Sequence, residues 1–339
     1  MTTIKDVAAR AGVGVGTASR VLSGRGPASA AARTAVETAA AELRFVTNGP
    51  ARSLRRSRTD VLGLLVSDIR NPFFADLAHG AEREARAAGY TVLLANVDED
   101  PEQEQRSLRA FGSQRVDGMI VAPQGHDSSA LVELVASDRP VVFVDRTLAE
   151  LDVPSVTSDN ARGVRAAVEH LVARGHRAIG YVSGPRSVST SVERLDAFRA
   201  ACSDLGVAVA DADVAFGDYQ AASGETATAR LFDAGARPTA LLTADGLMAL
   251  GARTELRRRG LVDDVELVAF DDAPWFDHVS PAVSSVVNDA DEIGRQGVRL
   301  LTRLLAGEPA ESVVVPTRFI ARGPSSADGV GRTTAGATP

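Results

Sequence analysis

The sequence is short of cysteine and lysine. Its 339 residues include one cysteine, Cys202, so no disulfide can form within the chain. Lys5 is the only lysine, and it precedes an aspartate instead of following a glycine-rich loop. These scarcities exclude a disulfide-stapled scaffold, a Walker A phosphate loop and an SxxK nucleophile motif.

Long apolar runs are also absent. The apolar segments are short, such as the VLGLLV string at residues 61–66, whereas a membrane helix needs roughly 18 consecutive apolar residues. The first residues, MTTIKD, lack the basic flank and apolar stretch of a signal peptide. We therefore predict a cytoplasmic protein that does not span a membrane.

Motifs for metal binding and catalysis are missing as well. The five histidines form no HExxH motif and have no cysteine cluster beside them, and the sequence has no GxSxG nucleophile elbow. We accordingly predict no metal site, no cofactor and no enzymatic activity. At about 100–200 residues per domain, the length indicates two or three domains.

Basic residues are concentrated near the N-terminus. Residues 1–58 hold ten basic and three acidic residues, a net charge of +7, while the whole chain has a net charge of −7. Residues 59–339 therefore carry −14. A basic module on an acidic body is typical of electrostatic DNA binding, although a solvated basic helix face would have the same charge.

The local pattern of this module favours a helix-turn-helix. Thr3 and Asp6 have the spacing of a capping box, and the apolar residues that follow recur at helical intervals up to a glycine turn. A second helix is predicted at about residues 15–22, and a third begins after Ser29, its predicted N-cap. The glycines at residues 12–16 could suggest a dinucleotide loop, but such a loop follows a β-strand, and here the preceding segment has a helical pattern.

Several strings in this region form a specific combination. They are TIKDVAARAGV at residues 3–13, GTASRVL at 16–22, Asn48, and ARSL at 51–54. These strings resemble the DNA-binding headpiece and hinge of the lactose repressor (LacI/GalR) family of bacterial transcription regulators. The resemblance continues through nearly all of the remaining chain.

The resemblance implies four parts in the chain. They are a helix-turn-helix headpiece at 1–46, a hinge helix at 47–58, a two-lobed effector-binding and dimerisation domain at 59–323, and a flexible tail at 324–339. Within the effector domain, lobe 1 is expected to comprise 59–158 and 290–317, and lobe 2 to comprise 159–289 and 318–323.

The resemblance also implies contacts to DNA. Val15, Gly16 and Arg20 would face base edges in the major groove, where an arginine paired with guanine contributes roughly 1–3 kcal/mol of discrimination. Leu54 matches a leucine that wedges into the minor groove at the centre of the operator. The positions that match phosphate-binding residues are Thr3, Thr17, Ser19, Ser29 and Asn48.

The acidic body shows a second kind of pattern. From residue 59 on, short β-rich runs alternate with alanine-rich helical stretches, starting afresh near residue 161, and the last β-rich run is at 266–270. Such alternation predicts parallel sheets flanked by helices, and two runs of it predict two lobes. The resemblance to the family further implies a body similar to periplasmic binding proteins, so the predicted fold class is an N-terminal all-α headpiece plus a two-lobed α/β body of that kind.

The resemblance places a small-molecule effector between the lobes, beyond the carboxyl ends of the strands. Arginine and aspartate can hydrogen-bond to hydroxyl groups and an aromatic ring can stack on a sugar or a base, so the expected effector is a sugar, a polyol or nucleoside-like. Any one of these residues is alternatively a surface charge or a core aromatic. The matching positions are Phe73, Phe74, Arg146, Thr190, Arg194, Tyr219, Asp245 and Asp271.

Asp245 departs from the family pattern, which usually has an asparagine there. A carboxylate in place of a neutral amide leads to the hypothesis that the effector presents additional hydrogen-bond donors, as polyols, amino sugars and nucleosides do. Trp275 is near the cleft by its position in the chain, and it either lines the cleft or braces the lobe.

These features together predict a ligand-responsive repressor of carbohydrate or nucleoside metabolism genes that binds a pseudo-palindromic operator as a homodimer. The tail lacks a leucine heptad, so a tetramerising coiled coil is not expected. Two rivals remain at this point. A periplasmic sugar receptor would need a signal peptide in place of the basic module, and a two-lobed enzyme would need a nucleophile-base pair or a cofactor motif.

Overall fold

The computed structural model describes residues 2–22, 26–45, 58–125, 128–137 and 139–322. The chain divides into two compact units, Met1–Thr59 and Asp60–Pro339. The predicted tail and all but the last residue of the predicted hinge helix lie outside the described residues.

The first unit is built from three helices, α1 (Ile4–Arg10), α2 (Val15–Leu22) and α3 (Ala30–Glu42). Thr3 and Asp6 form the expected capping box at the start of α1, and the Ser29 side chain caps α3 by accepting a hydrogen bond from a backbone N–H. The predicted start of each of these two helices is therefore confirmed. The small core that closes the unit consists of Val7, Ala8, Ala18, Val21, Val36 and Ala39.

The second unit is an α/β structure. Its elements begin with β1 (Val61–Val66), α4 (Pro72–Ala87), β2 (Thr91–Asn96), α5 (Pro101–Gln114), β3 (Gly118–Val121), α6 (Ser129–Ala136), β4 (Val141–Val144) and β5 (Ser155–Ser158). They continue with α7 (Asn160–Ala173), β6 (Ile179–Ser183), α8 (Ser189–Asp204), β7 (Val214–Phe216), α9 (Ala221–Asp233), β8 (Ala240–Thr243), α10 (Gly246–Arg259), β9 (Glu266–Phe270) and β10 (Ser284–Val287). The last elements are α11 (Ala290–Leu305), β11 (Val313–Val315) and β12 (Arg318–Ile320).

Two six-stranded sheets define two lobes. The sheet of lobe 1 has the strand order β11-β5-β4-β3-β1-β2, and its strand pairs are parallel. The sheet of lobe 2 has the order β12-β10-β9-β8-β6-β7 and is parallel except for the pair of β10 with β12. The predicted fold class is thus confirmed, while the boundaries assigned to the lobes stay a prediction.

The last strands differ from the sequence expectation. The structure adds β10, β11 and β12 after the run at 266–270, and β12 is antiparallel to its neighbour. These strands have three or four residues each, which is too short to show a periodic pattern. An antiparallel edge strand on an otherwise parallel sheet is a common ending for such folds.

The helices of lobe 2 approach each other closely through glycines. A Cβ atom added at Gly251 of α10 would lie 1.8 Å from the carbonyl oxygen of Ala221 in α9. A Cβ at Gly224 of α9 would lie 2.4 Å from the carbonyl oxygen of Met248. Because only glycine leaves room for this approach, the backbones of the two helices pack directly against each other.

The chain passes between the lobes three times, after β5, after β10 and after β11. Hydrogen bonds tie these crossings together. The Thr317 hydroxyl donates to the carbonyl oxygen of Asp159 at 2.9 Å, and the Ser158 hydroxyl donates to the Asn288 side chain. The crossings therefore form one hydrogen-bonded strip between the lobes.

The described residues include neither a candidate membrane-spanning helix nor a candidate metal-binding cluster. None of the described helices is long and apolar enough to cross a bilayer. The described histidine, cysteine, aspartate and glutamate side chains form no group of three that could hold a metal ion.

Candidate DNA-binding and effector sites

The three residues predicted to contact bases lie on the exposed side of α2. Val15 has 44% of its surface exposed, and Gly16 and Arg20 are exposed as well. Ala18 and Val21 of the same helix are buried in the core. Helical spacing places Gly16 and Arg20, four residues apart, on one face. This face is free of core contacts and carries a guanidinium group, as a base-reading helix requires.

The predicted phosphate-binding residues hold different positions. Thr3 and Ser29 are N-caps, and their hydroxyls accept hydrogen bonds from the backbone N–H groups of Asp6 and Ala32, at 3.4 and 3.2 Å. Thr17 accepts a hydrogen bond from Arg20 at 3.3 Å. Ser19 is half-buried on the same helix, whereas Asn48 and the predicted wedge Leu54 lie outside the described residues.

The capping box of α1 is stabilised by charge. The backbone N–H and the hydroxyl of Thr3 both donate to the Asp6 carboxylate, at 2.7 and 2.8 Å, and they lower the pKa of that carboxyl. A hydrogen bond to an ionised acceptor is stronger than one between neutral groups, so the box fixes where α1 begins.

In the second unit, side chains from both lobes meet at the carboxyl ends of the strands. All eight residues predicted to bind the effector line one cavity there, which is where ligands bind in open parallel sheets. The cavity is lined by Asn71, Phe73, Phe74, Glu99, Asp145, Arg146, Thr190, Arg194, Tyr219, Asp245 and Asp271.

Arg146 dominates the lobe 1 side of this cavity. Its Nη1 and Nη2 donate to the two carboxylate oxygens of Glu99, both at 2.7 Å, and Nη1 also donates to Gln124 at 3.2 Å. The guanidinium lies 5.7 Å from the ring centre of Phe74 and 5.3 Å from that of Tyr219. Burial acts to lower the pKa of Arg146, but the charge and hydrogen bonds of Glu99, together with the charge of Asp145, raise it above its ordinary value. Arg146 is therefore a fixed cation between two aromatic rings.

Arg194 holds the corresponding place on lobe 2. Its Nε donates to the Asn160 side chain at 2.8 Å, and its Nη1 donates to the carbonyl oxygen of Ala244 at 2.7 Å. The guanidinium carbon lies 3.7 Å from the ring centre of Phe270, and Nη2 lies 3.9 Å from the Asp145 carboxylate. These contacts hold the guanidinium group of Arg194 in one orientation at the lobe 2 side of the cavity.

Three buried aspartates face these arginines. Burial raises the pKa of Asp145 to about 6, against the opposing charges of Arg146 and Arg194. Burial also raises the pKa of Asp245 to about 8 and raises that of Asp271. At neutral pH the Asp245 carboxyl therefore keeps its proton and can donate as well as accept a hydrogen bond.

Asp245 performs a structural task at the same time. It is the N-cap of α10, and its side chain accepts a hydrogen bond from the backbone N–H of Met248 at 2.7 Å. From the opposite lobe, the Asn71 amide donates to its second oxygen at 3.2 Å. Asp245 thus joins the two lobes.

Other hydrogen bonds also cross the cleft. The Gln220 amide donates to Asp68 at 3.0 Å, and the backbone N–H of Thr147 donates to the Ser189 hydroxyl at 2.9 Å. The cavity between the lobes has a volume of about 20 Å³, which is room for about one water molecule. A sugar-sized effector can enter only if these contacts break and the lobes separate.

Three residues that line the cavity, Asn71, Glu99 and Asp145, are not among the eight predicted effector-binding positions. Asn71 caps α4 and precedes Pro72, a pattern that marks a helix start, and Asp145 directly follows the buried strand β4. The helix start at Asn71 and the position of Asp145 after a strand are both visible in the sequence. Glu99 lies in a loop at a φ of +59°, and no local pattern indicates that it reaches Arg146.

Trp275 braces lobe 2. Its ring packs edge-on against Phe276 with ring centres 4.4 Å apart, next to the buried core of that lobe. It is not among the residues that line the cavity. Of the two alternatives left open for Trp275, the structure selects the bracing role.

Comparison with known families agrees with this architecture. Residues 3–48 match the model of bacterial regulatory proteins of the lacI family. Residues 59–323 match the model of periplasmic binding proteins and the sugar binding domain of the LacI family.

Individual relatives are similar over almost the whole chain. The HTH-type transcriptional regulator PtxS of Pseudomonas aeruginosa is 39% identical, with 95% of each chain covered. The ribose operon repressor of Halalkalibacterium halodurans is 32% identical, with 95% of this chain and 96% of the relative covered.

Solved structures show the same similarity. A complex of the transcriptional regulator CelR with cellobiose superposes with a TM-score of 0.73 at 32% identity, over 95% of this chain and 99% of that one. The lac repressor dimer bound to operator and the anti-inducer ONPF gives a TM-score of 0.85 at 27% identity, over 95% and 98% of the two chains. Because the family models together cover most of the chain and the relatives exceed 30% identity, this protein belongs to the LacI family of bacterial transcriptional regulators.

Proposed function

We propose that this protein is a cytoplasmic, homodimeric repressor whose operator binding is controlled by a neutral, hydroxyl-rich effector in the cleft between its lobes. Membership of the family makes the chain a DNA-binding transcriptional regulator and not an enzyme. The observation that carries the proposal is the cavity at the carboxyl ends of both sheets, where two fixed arginines face three aspartates.

The charges in the cavity support an effector without negative charge. Glu99, Asp145, Asp245 and Asp271 bring four carboxyl groups against two guanidinium groups. Arg146 is already paired with Glu99, so its positive charge is balanced and does not favour an anionic effector. Hydroxyl groups suit the site, since they can donate to ionised carboxylates and accept from arginine or protonated Asp245.

The genes that such an effector would regulate belong to carbohydrate or nucleoside metabolism. Relatives named as ribose operon repressors and as the repressor CytR support this reading. We propose further that the hydroxyl groups of the effector replace the Asn71 to Asp245 contact when the lobes separate.

Control of DNA binding follows from the two states of the cleft. An effector changes operator affinity only through its different affinity for the closed and the separated lobes. In the headpiece, we propose that Val15, Gly16 and Arg20 contact bases and that Thr3, Thr17, Ser19, Ser29 and Asn48 contact phosphates. Leu54 is proposed as the minor-groove wedge.

The first test is selection of DNA. The full chain is incubated at near-physiological salt with sheared DNA from its source organism, and the retained fragments are sequenced. A shared palindrome beside metabolic genes is the expected result. If the retained fragments share no motif and their retention is lost as the salt concentration rises, the protein binds DNA only through phosphate attraction. That result would refute the proposal of a specific repressor.

The second test separates the two sites. Neutral sugars, polyols and nucleosides are titrated into the full chain and into a chain lacking residues 1–58, with sugar acids as the charged comparison. Binding of a neutral ligand by both proteins, with operator binding by the full chain alone, supports the proposal. Preference for the sugar acids would contradict the effector class but leave operator binding untouched.

A further inference from the structure

Lobe 2 contains a second cavity, well separated from the effector cleft. Its volume is about 340 Å³, within the range of small-molecule sites. The second half of α10 and the first residues of β9 contribute to its walls. The effector cleft lies at the opposite ends of these elements, and five strand residues separate the two by about 17 Å. A ligand here would not touch the effector.

One side of this cavity is apolar. The side chains of Leu256, Val265, Leu267 and Val283 line it, and Pro281 and Ala282 extend the apolar wall at the edge. The first four are almost fully buried, so the wall is part of the core and is fixed in place. Such a wall suits the carbon body of an organic molecule.

The polar groups around the cavity are mostly engaged with one another. Glu266 accepts hydrogen bonds from His170, Arg174 and His176 at 3.1, 2.7 and 2.9 Å. Arg322 pairs with two aspartates, at 2.9 and 2.6 Å. Neither Glu266 nor Arg322 is available as the main partner of a ligand.

Arg253 is different. It donates to the backbone carbonyls of Pro281 and Ser280, at 3.2 and 2.5 Å, and it makes no ion pair within the part of the chain that the structure describes. Burial and the neighbouring charge of Arg257 lower its pKa, against the opposing charge of Asp263. Its guanidinium thus lies half-exposed beside an apolar wall and forms no ion pair with a described carboxylate, so an anion can bind it without displacing one.

Asp263 and Asp264 limit the charge of that anion. Both are exposed residues of the cavity lining, and they would repel a dianion more than a monoanion. Arg174 adds a second donor group, because only its Nε is used by Glu266 among the described residues. We propose that this cavity is a second ligand site that binds an organic monoanion, its acid group on Arg253 and its apolar body on the wall at Leu256 and Val283.

The test uses the full chain and the fluorescent probe anilinonaphthalene sulfonate, an aromatic monoanion. Arg253→Gln removes the cation, and Ala282→Phe fills the cavity from its half-exposed edge without touching the cation. Arg230→Gln is the matched control, since it removes an exposed arginine of lobe 2 that does not line the cavity. N-phenyl-naphthylamine serves as the uncharged counterpart of the probe. Thermal unfolding confirms that each variant is folded.

We expect one probe molecule to bind to each chain, and we expect this binding to require the second cavity. Arg253→Gln should weaken the affinity for the probe at least about tenfold, which is the scale of a lost hydrogen bond to a charged group. Ala282→Phe should weaken it by at least about the same factor, because its ring occupies the space of the probe. Arg230→Gln should leave the affinity unchanged. The uncharged counterpart should bind at least about tenfold more weakly than the sulfonate. Equal affinity of the wild type and both cavity variants, equal affinity for the two probes, or binding at millimolar concentration only would each overturn the proposal.

Discussion

Replacing the buried carboxyl of Asp245 by an amide should stabilise the protein relative to the wild type, and this difference should grow as the pH rises. The carboxyl has a pKa of about 8 in the folded protein against 3.8 as its ordinary value, because burial disfavours its ionised form. Between these two pH values the unfolded chain loses the proton while the folded chain keeps it. The folded state binds more protons there, so stability falls as the pH increases from about 4 to about 8.

The size of this effect follows from the shift. Each unit is worth about 1.4 kcal/mol, so the roughly three units between pH 4 and pH 7 set a ceiling of about 4 kcal/mol for the stability lost by neutral pH. Asp245→Asn removes this loss and keeps the N-cap, since asparagine caps helices as well as aspartate. The variant gives up the hydrogen bond from Asn71, at a cost of about 1 kcal/mol. We therefore expect a net gain of about 1–3 kcal/mol at pH 7.

Urea unfolding at a series of pH values measures the difference. Trp275 is the single tryptophan of the chain and packs beside the core of lobe 2, so its fluorescence follows the lobe that contains Asp245. Wild type and variant should have similar stability near pH 5 and diverge by about 1–3 kcal/mol towards pH 8. Asp196→Asn makes the same chemical change at an exposed position of the same lobe and is the matched control. Parallel curves for the wild type and Asp245→Asn would show that the carboxyl ionises freely in the folded state and would refute the reasoning.

Three further predictions concern other parts of the structure. Gly251→Ala should lower the free energy of unfolding by about 1–3 kcal/mol, because its Cβ would meet a backbone oxygen at 1.8 Å, whereas Gly112→Ala, in open space on another helix, should raise it by up to about 1 kcal/mol in the same denaturant titration. Arg20→Ala should weaken binding to the selected palindrome by about 1–3 kcal/mol in a fluorescence anisotropy titration, with little change for competitor DNA; equal losses on both would assign Arg20 to phosphate contact. Arg146→Lys keeps the charge but not the paired hydrogen bonds to its carboxylate partner, so effector affinity should fall about tenfold by calorimetry, and an unchanged affinity would place the effector elsewhere.

The headpiece was predictable because its signals are local. The capping box at Thr3 and Asp6 and the cap at Ser29 fix helix starts by contacts within three residues of the chain. The apolar residues that recur at helical intervals after the capping box include Val7 and Ala8, which are buried in the core of this unit. No distant part of the chain is needed to decide these features.

The cleft was predictable in part. The carboxyl ends of parallel strands lie at one edge of a sheet, so residues such as Arg146 and Asp271 are brought together by topology. The partner of Arg146 was not predictable, because Glu99 reaches it from a loop 47 residues earlier in the chain. The closure of the lobes could not be predicted from the sequence either, because contacts such as that of Asn71 with Asp245 depend on the angle between the two folded lobes.

The three crossings between the lobes also constrain how this protein can be recombined with its relatives. The sheet of lobe 1 takes its edge strand β11 from a segment more than 150 residues after β5, the strand it pairs with, and lobe 2 closes with β12 from the end of the described chain. A chimera joined at a single point within the body would therefore combine strands of two origins in at least one sheet. Exchange of a whole lobe needs breakpoints at all three crossings, so effector specificity should be transferred between relatives by substitutions in the cleft more readily than by crossover of gene segments.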